Sequence, residues 1–153
     1  MMQVRGGRTR GLGLHLARLT GAHRELFEAE LDGALVCRYI RHALGGLADA
    51  TVRVQVYGPP APSPAPSPAP SRARTSASEP TVVVTVRPAA EAPATAQRLR
   101  SEQYLRPAAH LKHVGGFGQI YYARRAERAG FDDALLVGTD GLIAETTIAN
   151  IGL

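Results

Sequence analysis

The stretch that decides the fold is residues 112–150, which read KHVGGFGQIYYARRAERAGFDDALLVGTDGLIAETTIAN. After its glycine cluster, residues 119–129 have the composition of a helix that ends at Gly130. Two short apolar runs, residues 134–137 and 142–146, flank a Thr-Asp-Gly turn, a pattern typical of a β-hairpin. The stretch therefore predicts one helix followed by two paired strands.

Lysine occurs once in the chain, at position 112, beside 17 arginines. A desolvated lysine can lose its proton and attack a carbonyl to form a Schiff base, whereas arginine stays protonated. Lys112 precedes the glycine cluster of residues 115–118, where backbone and ligand can approach closely. This placement indicates a catalytic lysine, and an ordinary surface lysine is the alternative interpretation.

Two further side chains, those of Glu145 and Arg18, carry charges that suit a ring nitrogen and a phosphate, respectively. Glu145 ends a predicted strand and is followed by Thr146 and Asn150. A carboxylate there can keep a pyridine nitrogen protonated and make the ring a better electron sink. Arg18 lies three residues after His15 on one face of a predicted helix, where it can bind a phosphate. The alternatives are a solvent-facing glutamate and an exposed arginine.

The first half of the chain predicts two helices and two strands. Apolar residues at helical spacing predict a helix over residues 12–31, and a second helix begins after Asp32 and ends at the glycine pair 45–46. Residues 51–57 alternate valine with polar side chains, which predicts a half-buried strand. Residues 81–87 have a similar sequence and are expected to be its antiparallel partner.

An insert rich in Pro, Ala and Ser, residues 58–80, separates these two strands. It lacks large apolar side chains, so we expect it to be extended or disordered, as the stretched turn of a hairpin. Its Pro-x-x-Pro spacing also permits a role as a ligand of an SH3-type domain. Helices and strands together predict an α+β fold.

Composition narrows the classes of function. The 153 residues carry a formal net charge of +5, but the arginines are spread along the chain and Trp is absent, so we expect no nucleic-acid partner. The single cysteine, Cys37, excludes an internal disulfide and a multi-cysteine metal site, and we expect no metal. No apolar run reaches the roughly 20 residues of a membrane span. We therefore expect a cytoplasmic protein without a membrane partner.

Together these residues resemble the class IV aminotransferases, the fold-type IV pyridoxal-phosphate enzymes. This family includes branched-chain and D-amino-acid aminotransferases and aminodeoxychorismate lyase. The resemblance is carried by the spacing from Lys112 through Ala-Gly-Phe-Asp-Asp-Ala-Leu-Leu and Asp-Gly to Glu145 and Asn150. The segment His-Leu-Ala-Arg-Leu, residues 15–19, is similar to a helix motif of the family's small domain.

The resemblance implies a role for each candidate residue. Lys112 would form the Schiff base with pyridoxal 5′-phosphate and move the proton to and from the substrate α-carbon. Glu145 would pair with the pyridine nitrogen, and Arg18 would contact the cofactor phosphate. Thr146 and Asn150 would line or brace the site.

The implied function is transfer of an amino group from an amino acid to a 2-oxo acid by a homodimeric full-length enzyme. One alternative is a lyase of the aminodeoxychorismate type, which the pair Lys112-His113 resembles. The other alternative is a catalytically incomplete fragment. The family commonly carries Asn or Tyr shortly after the lysine to steady the cofactor's phenolate oxygen. This chain has residues 115–117 (Gly-Gly-Phe) there, so that contact is either missing or supplied elsewhere, with Tyr121 and Tyr122 as the candidates.

The resemblance also implies two incomplete domains. Residues 1–88 would form a small α+β domain that contains the insert, residues 89–106 an interdomain linker and strand, and residues 107–153 the first part of a mainly β, cofactor-binding large domain. We expect the chain to lack the opening strands of the small domain. We also expect it to lack the part of the large domain that follows Asn150.

Overall fold

The computed structural model describes residues 1–58, 80–91 and 93–152. The chain divides into two units, residues 1–91 and residues 92–153. The predicted insert at residues 58–80 lies outside the described residues except at its two ends.

The first unit begins with two short antiparallel strands, β1 (Met2–Arg5) and β2 (Arg8–Thr9). Gly6 and Gly7 join them with φ angles of 53° and 72°, the left-handed conformation that a tight two-residue hairpin turn requires. Two short strands thus precede the first helix, where the sequence patterns predicted no strand. The alternation of buried Met2 and Val4 spans only four residues, and this is too short to stand out in the sequence.

Two helices follow, α1 (Leu12–Phe27) and α2 (Gly33–Leu44). The prediction for α2 is confirmed, since the Asp32 carboxylate accepts a hydrogen bond of 2.7 Å from the amide of Ala34 and caps the helix. Helix α1 ends four residues earlier than predicted, because Glu28 adopts a φ of 51° and interrupts the helical backbone.

Strands β3 (Ala50–Tyr57) and β4 (Thr81–Arg87) complete a four-stranded sheet with the order β2-β1-β3-β4. They pair antiparallel without interruption, from Thr51 opposite Arg87 to Tyr57 opposite Thr81. The prediction of a hairpin whose two strands flank the insert is confirmed.

The core of the first unit lies between the sheet and the helices. Val36 of α2 and Val52 of β3 are fully buried, and burial contributes about 1.5–3 kcal/mol for each such side chain. Leu12, Leu16 and Leu19 of α1 pack against this core and are partly buried. The apolar spacing that predicted the helices therefore corresponds to their buried faces.

The second unit contains β5 (Leu99–Gln103), α3 (Phe117–Arg128), β6 (Asp133–Val137) and β7 (Ile143–Thr146). The predicted helix and the predicted hairpin of β6 and β7 are confirmed, and α3 begins two residues earlier than expected. Strand β5 pairs parallel with β6, so the sheet order is β5-β6-β7 and α3 is the crossover between parallel strands.

A buried carboxylate connects strand and helix in this unit. The side chain of Glu102 is 8% exposed, and its Oε1 lies 3.0 Å from Nε of Arg100 and 3.3 Å from Nε of Arg125 on α3. A carboxylate removed from water requires such partners, so this contact fixes α3 against β5. Among the described residues, no helix is both long enough and apolar enough to cross a membrane.

Candidate functional site

The segment between β5 and α3, residues 104–116, carries the single lysine and is called the lysine loop. Ala108 has a φ of 48°, an unusual conformation for a residue with a side chain, and its carbonyl accepts a hydrogen bond of 2.8 Å from the amide of Leu111. Leu111 is buried, which anchors the loop to the unit. The adjacent Lys112 is exposed.

His113 bridges the two halves of the lysine loop. Its Nε2 lies 2.9 Å from the carbonyl oxygen of Pro107, and its Nδ1 accepts a hydrogen bond of 3.1 Å from the amide of Gly115. The ring therefore connects backbone groups on both sides of Lys112.

Glu145 lies on β7 and faces an arginine of the lysine loop. Its Oε1 is 3.9 Å from Nε of Arg106, and the two side chains are 28% and 13% exposed. This distance makes an ion pair but is too long for a hydrogen bond. Nη2 of Arg106 donates a hydrogen bond of 2.9 Å to the carbonyl of Ala109, three residues before Lys112. Arg106 thus links the carboxylate to the loop that carries the lysine.

The residues after Glu145 form a tight turn. The Thr146 hydroxyl donates to the carbonyl of Ala149 at 3.2 Å and accepts from the amide of Ala149 at 3.0 Å. The Thr147 hydroxyl donates to Oδ1 of Asp133 at 2.5 Å, which fixes the turn to the start of β6. Asn150 follows the turn and is exposed.

Arg18 lies in the first unit, whereas Lys112, Glu145, Thr146 and Asn150 lie in the second. It is exposed on α1, and its Nη2 lies 3.3 Å from Nδ1 of His15, in agreement with the predicted shared face. Its proposed contact with a cofactor phosphate stays a prediction.

A cavity of about 550 Å³ opens beside the lysine loop and is lined mainly by aromatic rings. Its lining residues are Tyr104, Pro107, His113, Gly115, Phe117, Gly118, Tyr121 and Tyr122. Tyr121 and Tyr122, the two candidates for the hydroxyl that the lysine loop lacks, are both among these lining residues. Gly118 packs directly on Tyr104, since a Cβ at position 118 would collide with the tyrosine ring.

Two charged side chains on the surface of the first unit have shifted pKa values. Two hydrogen bonds from Arg24, of 2.6 and 2.9 Å, lower the pKa of Glu30, and the same contact raises the pKa of Arg24. Both groups are exposed, so this pair is a surface ion pair. Among the described residues, no group of three or more His, Cys, Asp or Glu is placed to hold a metal ion.

Sequence reasoning missed Arg106 and the bridging contacts of His113. Nothing in the sequence distinguishes Arg106 from the other arginines of the chain, since Arg87 also precedes a Pro-Ala-Ala segment. The carboxylate partner lies 39 residues further along the chain, and the pairing depends on the parallel arrangement of β5 and β6.

Comparison with known protein families identifies a family that covers the whole chain. The family model described as Amino-transferase class IV matches residues 1–153. No curated protein sequence matches the chain at a significant level.

Solved structures share the fold at low sequence identity. A candidate 4-amino-4-deoxychorismate lyase from Legionella pneumophila has a TM-score of 0.74 and 21% identity, with 95% of this chain and 54% of that protein covered. An aminotransferase from Brucella abortus bound to the cofactor PLP has a TM-score of 0.72 and 20% identity, with 95% and 53% covered. The branched-chain amino acid aminotransferase of Escherichia coli has a TM-score of 0.64 and 13% identity, with 95% and 52% covered.

The chain therefore spans about half the length of each of these structures. Its helices and sheets are shared with about half of each of these structures, which confirms the predicted α+β fold class.

Proposed function

This chain belongs to the class IV aminotransferases, and we propose that it provides the lysine-bearing part of an enzyme dependent on pyridoxal 5′-phosphate. The proposed reaction moves an amino group from an amino acid to a 2-oxo acid. One observation carries the proposal: Arg106 contacts both the Glu145 carboxylate and the carbonyl of Ala109, so the carboxylate and the loop of the single lysine converge on one guanidinium.

The residues present fit this cofactor. Lys112, an exposed residue, carries the primary amine that an aldehyde requires, and Glu145 offers a partly buried carboxylate for a protonated ring nitrogen. Bound pyridoxal phosphate supplies a ring that stabilises negative charge at the substrate α-carbon. Lys112 binds the cofactor and moves the proton at that carbon, while Glu145 holds the proton on the ring nitrogen.

The remaining predicted residues have supporting roles in the proposal. Arg106 orients Glu145 through their ion pair, and the Thr146 turn fixes the end of β7 on which Glu145 lies. Arg18 binds the cofactor phosphate, and Asn150 lines the site. A homodimer in the full-length protein, a cytoplasmic location and small-molecule amino acid and 2-oxo acid substrates belong to the same proposal.

A second candidate function is a lyase that releases pyruvate from an aminodeoxychorismate-type substrate. The pair Lys112-His113 and the sequence Glu-Thr-Thr-Ile-Ala-Asn favour it, as does the likeness to the candidate lyase from Legionella pneumophila. Incubation with an amino donor and 2-oxoglutarate separates the two functions, because the transferase forms glutamate and the lyase does not.

The test of the proposal is a titration of the protein with pyridoxal phosphate, followed by the amino-transfer assay. We expect a new visible absorption band and formation of glutamate, and loss of both in Lys112→Ala. Lys112→Arg is the matched control, since it keeps the charge but cannot react with the aldehyde. A visible band that persists in either variant would contradict the assignment of Lys112.

A further inference from the structure

The backbone partners of His113 define the protonation of its ring. A carbonyl oxygen can only accept a hydrogen bond, so Nε2 must carry a hydrogen to bond the carbonyl of Pro107 at 2.9 Å. A backbone amide can only donate, so Nδ1 must present a lone pair to the amide of Gly115 at 3.1 Å. Both bonds form together only when the imidazole is neutral and protonated at Nε2.

We propose that His113 is a positioning residue for Lys112, acting by closing residues 107–115 into a loop of fixed shape. This inference rests on the proposed function of Lys112. The side chain of Lys112 leaves the backbone between the two points that the ring connects. Fixing both points restricts the directions from which the amine can approach a bound aldehyde, and reactions at such sites are sensitive to small displacements.

The backbone on either side of Lys112 gives the bridge a structural role. Pro107 has no amide hydrogen, and Ala108 is in a left-handed conformation with a φ of 48°. The glycines that follow His113 impose little restriction on the backbone. His113 is half-buried and lines the aromatic cavity with Tyr104 and Tyr121, which limits the rotation of its ring.

The two hydrogen bonds can be removed in two steps. Asparagine at position 113 can accept from the amide two residues ahead, as it does in Asx turns, but it is too short to reach Pro107. His113→Ala removes both bonds, so His113→Asn is the conservative variant and is expected to rescue part of the effect. Val114→Ala is the matched control, because Val114 is 73% exposed in the same loop.

The experiment measures three quantities on the full chain. In the wild type, ¹⁵N shifts of the His113 ring are expected to show a protonated Nε2 and an unprotonated Nδ1. In His113→Ala, amide exchange at Gly115 is expected to accelerate. The rate at which pyridoxal phosphate is fixed to Lys112 by borohydride is expected to fall by about 10- to 100-fold, with a smaller fall in His113→Asn and no change in Val114→Ala.

Trinitrobenzenesulfonate distinguishes positioning from a change in the intrinsic reactivity of the amine. This small reagent needs no fixed approach, so its reaction with Lys112 is expected to be as fast in His113→Ala as in the wild type. Wild-type rates of cofactor fixation in His113→Ala, or an Nδ1-protonated ring in the wild type, would overturn the inference. Fixation of the cofactor in Lys112→Ala would instead overturn the proposed function, so the two failures are distinguishable.

Discussion

Each of the two units is stabilised internally by a different kind of contact. In the first unit, apolar side chains from the strands, α2 and the segment before α2 form the core: Met2, Val4, Leu31, Val36, Ile40, Ala50 and Val52. In the second unit, the buried apolar cluster among the described residues is smaller: Ala126, Ala134 and Leu136. The second unit also has ion pairs whose carboxylates are buried or partly buried, at Glu102 and between Arg106 and Glu145.

This difference has a functional meaning. Apolar packing has no preferred direction, so it stabilises a fold without fixing individual atoms at defined distances. Hydrogen bonds and ion pairs fix atoms at defined distances and angles, so they suit the loop that we propose presents Lys112 to a cofactor. We therefore attribute the defined geometry of the second unit mainly to polar contacts, and the stability of the first unit mainly to buried apolar side chains.

The largest expected effect is on the apolar core of the first unit. Ile40→Ala removes a buried side chain and is expected to lower the free energy of unfolding by about 2–5 kcal/mol, because it leaves a cavity. Leu26→Ala on α1 is the matched control, since Leu26 is 53% exposed and should cost less than about 1 kcal/mol. Urea denaturation measures both, and equal losses would contradict the described core.

The next largest change in stability is expected when the buried ion pairs of Glu102 in the second unit are removed. Glu102→Gln keeps the shape of the side chain but removes the charge between Arg100 and Arg125, and we expect a loss of about 1–3 kcal/mol. Glu127→Gln serves as the control, because its ion pair with Arg124 is exposed and should be worth less than about 0.5 kcal/mol. The same denaturation experiment compares them, and a neutral Glu102→Gln would show that burial of this carboxylate is not stabilising.

Replacing a glycine by alanine is expected to raise stability in the first unit and to lower it in the second. A Cβ at Gly21 in α1 meets no atom within 4 Å, so Gly21→Ala should stabilise the helix by about 0.5–1 kcal/mol. A Cβ at Gly118 in α3 would collide with the ring of Tyr104, so Gly118→Ala should destabilise the protein by about 1–3 kcal/mol. Thermal unfolding gives the sign of each change, and stabilisation by Gly118→Ala would contradict the packing of α3 on Tyr104.

The smallest expected effect is the pH dependence of the surface pair of Arg24 and Glu30. The hydrogen bonds from Arg24 lower the pKa of Glu30 in the folded protein, so their contribution is present above the pKa of the unfolded chain. It is lost as the pH falls through the lower folded pKa. The difference in stability between the wild type and Glu30→Gln should therefore shrink on acidification, and a constant difference from pH 7 to pH 3 would argue against the pair.

The sequence predicted those elements whose pattern is local. The valine alternation of residues 51–57 and 81–87 was sufficient for the β3–β4 hairpin, and Asp32 marked the start of α2. The strands β1 and β2 escaped prediction because they are very short, and their signal was the glycine pair at positions 6 and 7.

The candidate site was predictable only in part. Lys112 and Glu145 stood out by residue type and spacing, since one is the single lysine and the other ends a strand. Arg106 and the bridge through His113 depend on contacts between distant or folded segments. Such contacts follow from the parallel pairing of β5 with β6 and from the shape of the lysine loop, which local propensity does not determine.

Covalent trapping of the cofactor tests the central claim most directly. The protein is mixed with pyridoxal phosphate, reduced with borohydride and digested, and the modified peptide is identified by mass spectrometry. Because the chain contains one lysine, the account predicts a single stable adduct on the peptide that contains Lys112, and weaker trapping in Glu145→Gln. An adduct on the α-amine of Met1 alone, or an equal yield from Lys112→Arg, would contradict it.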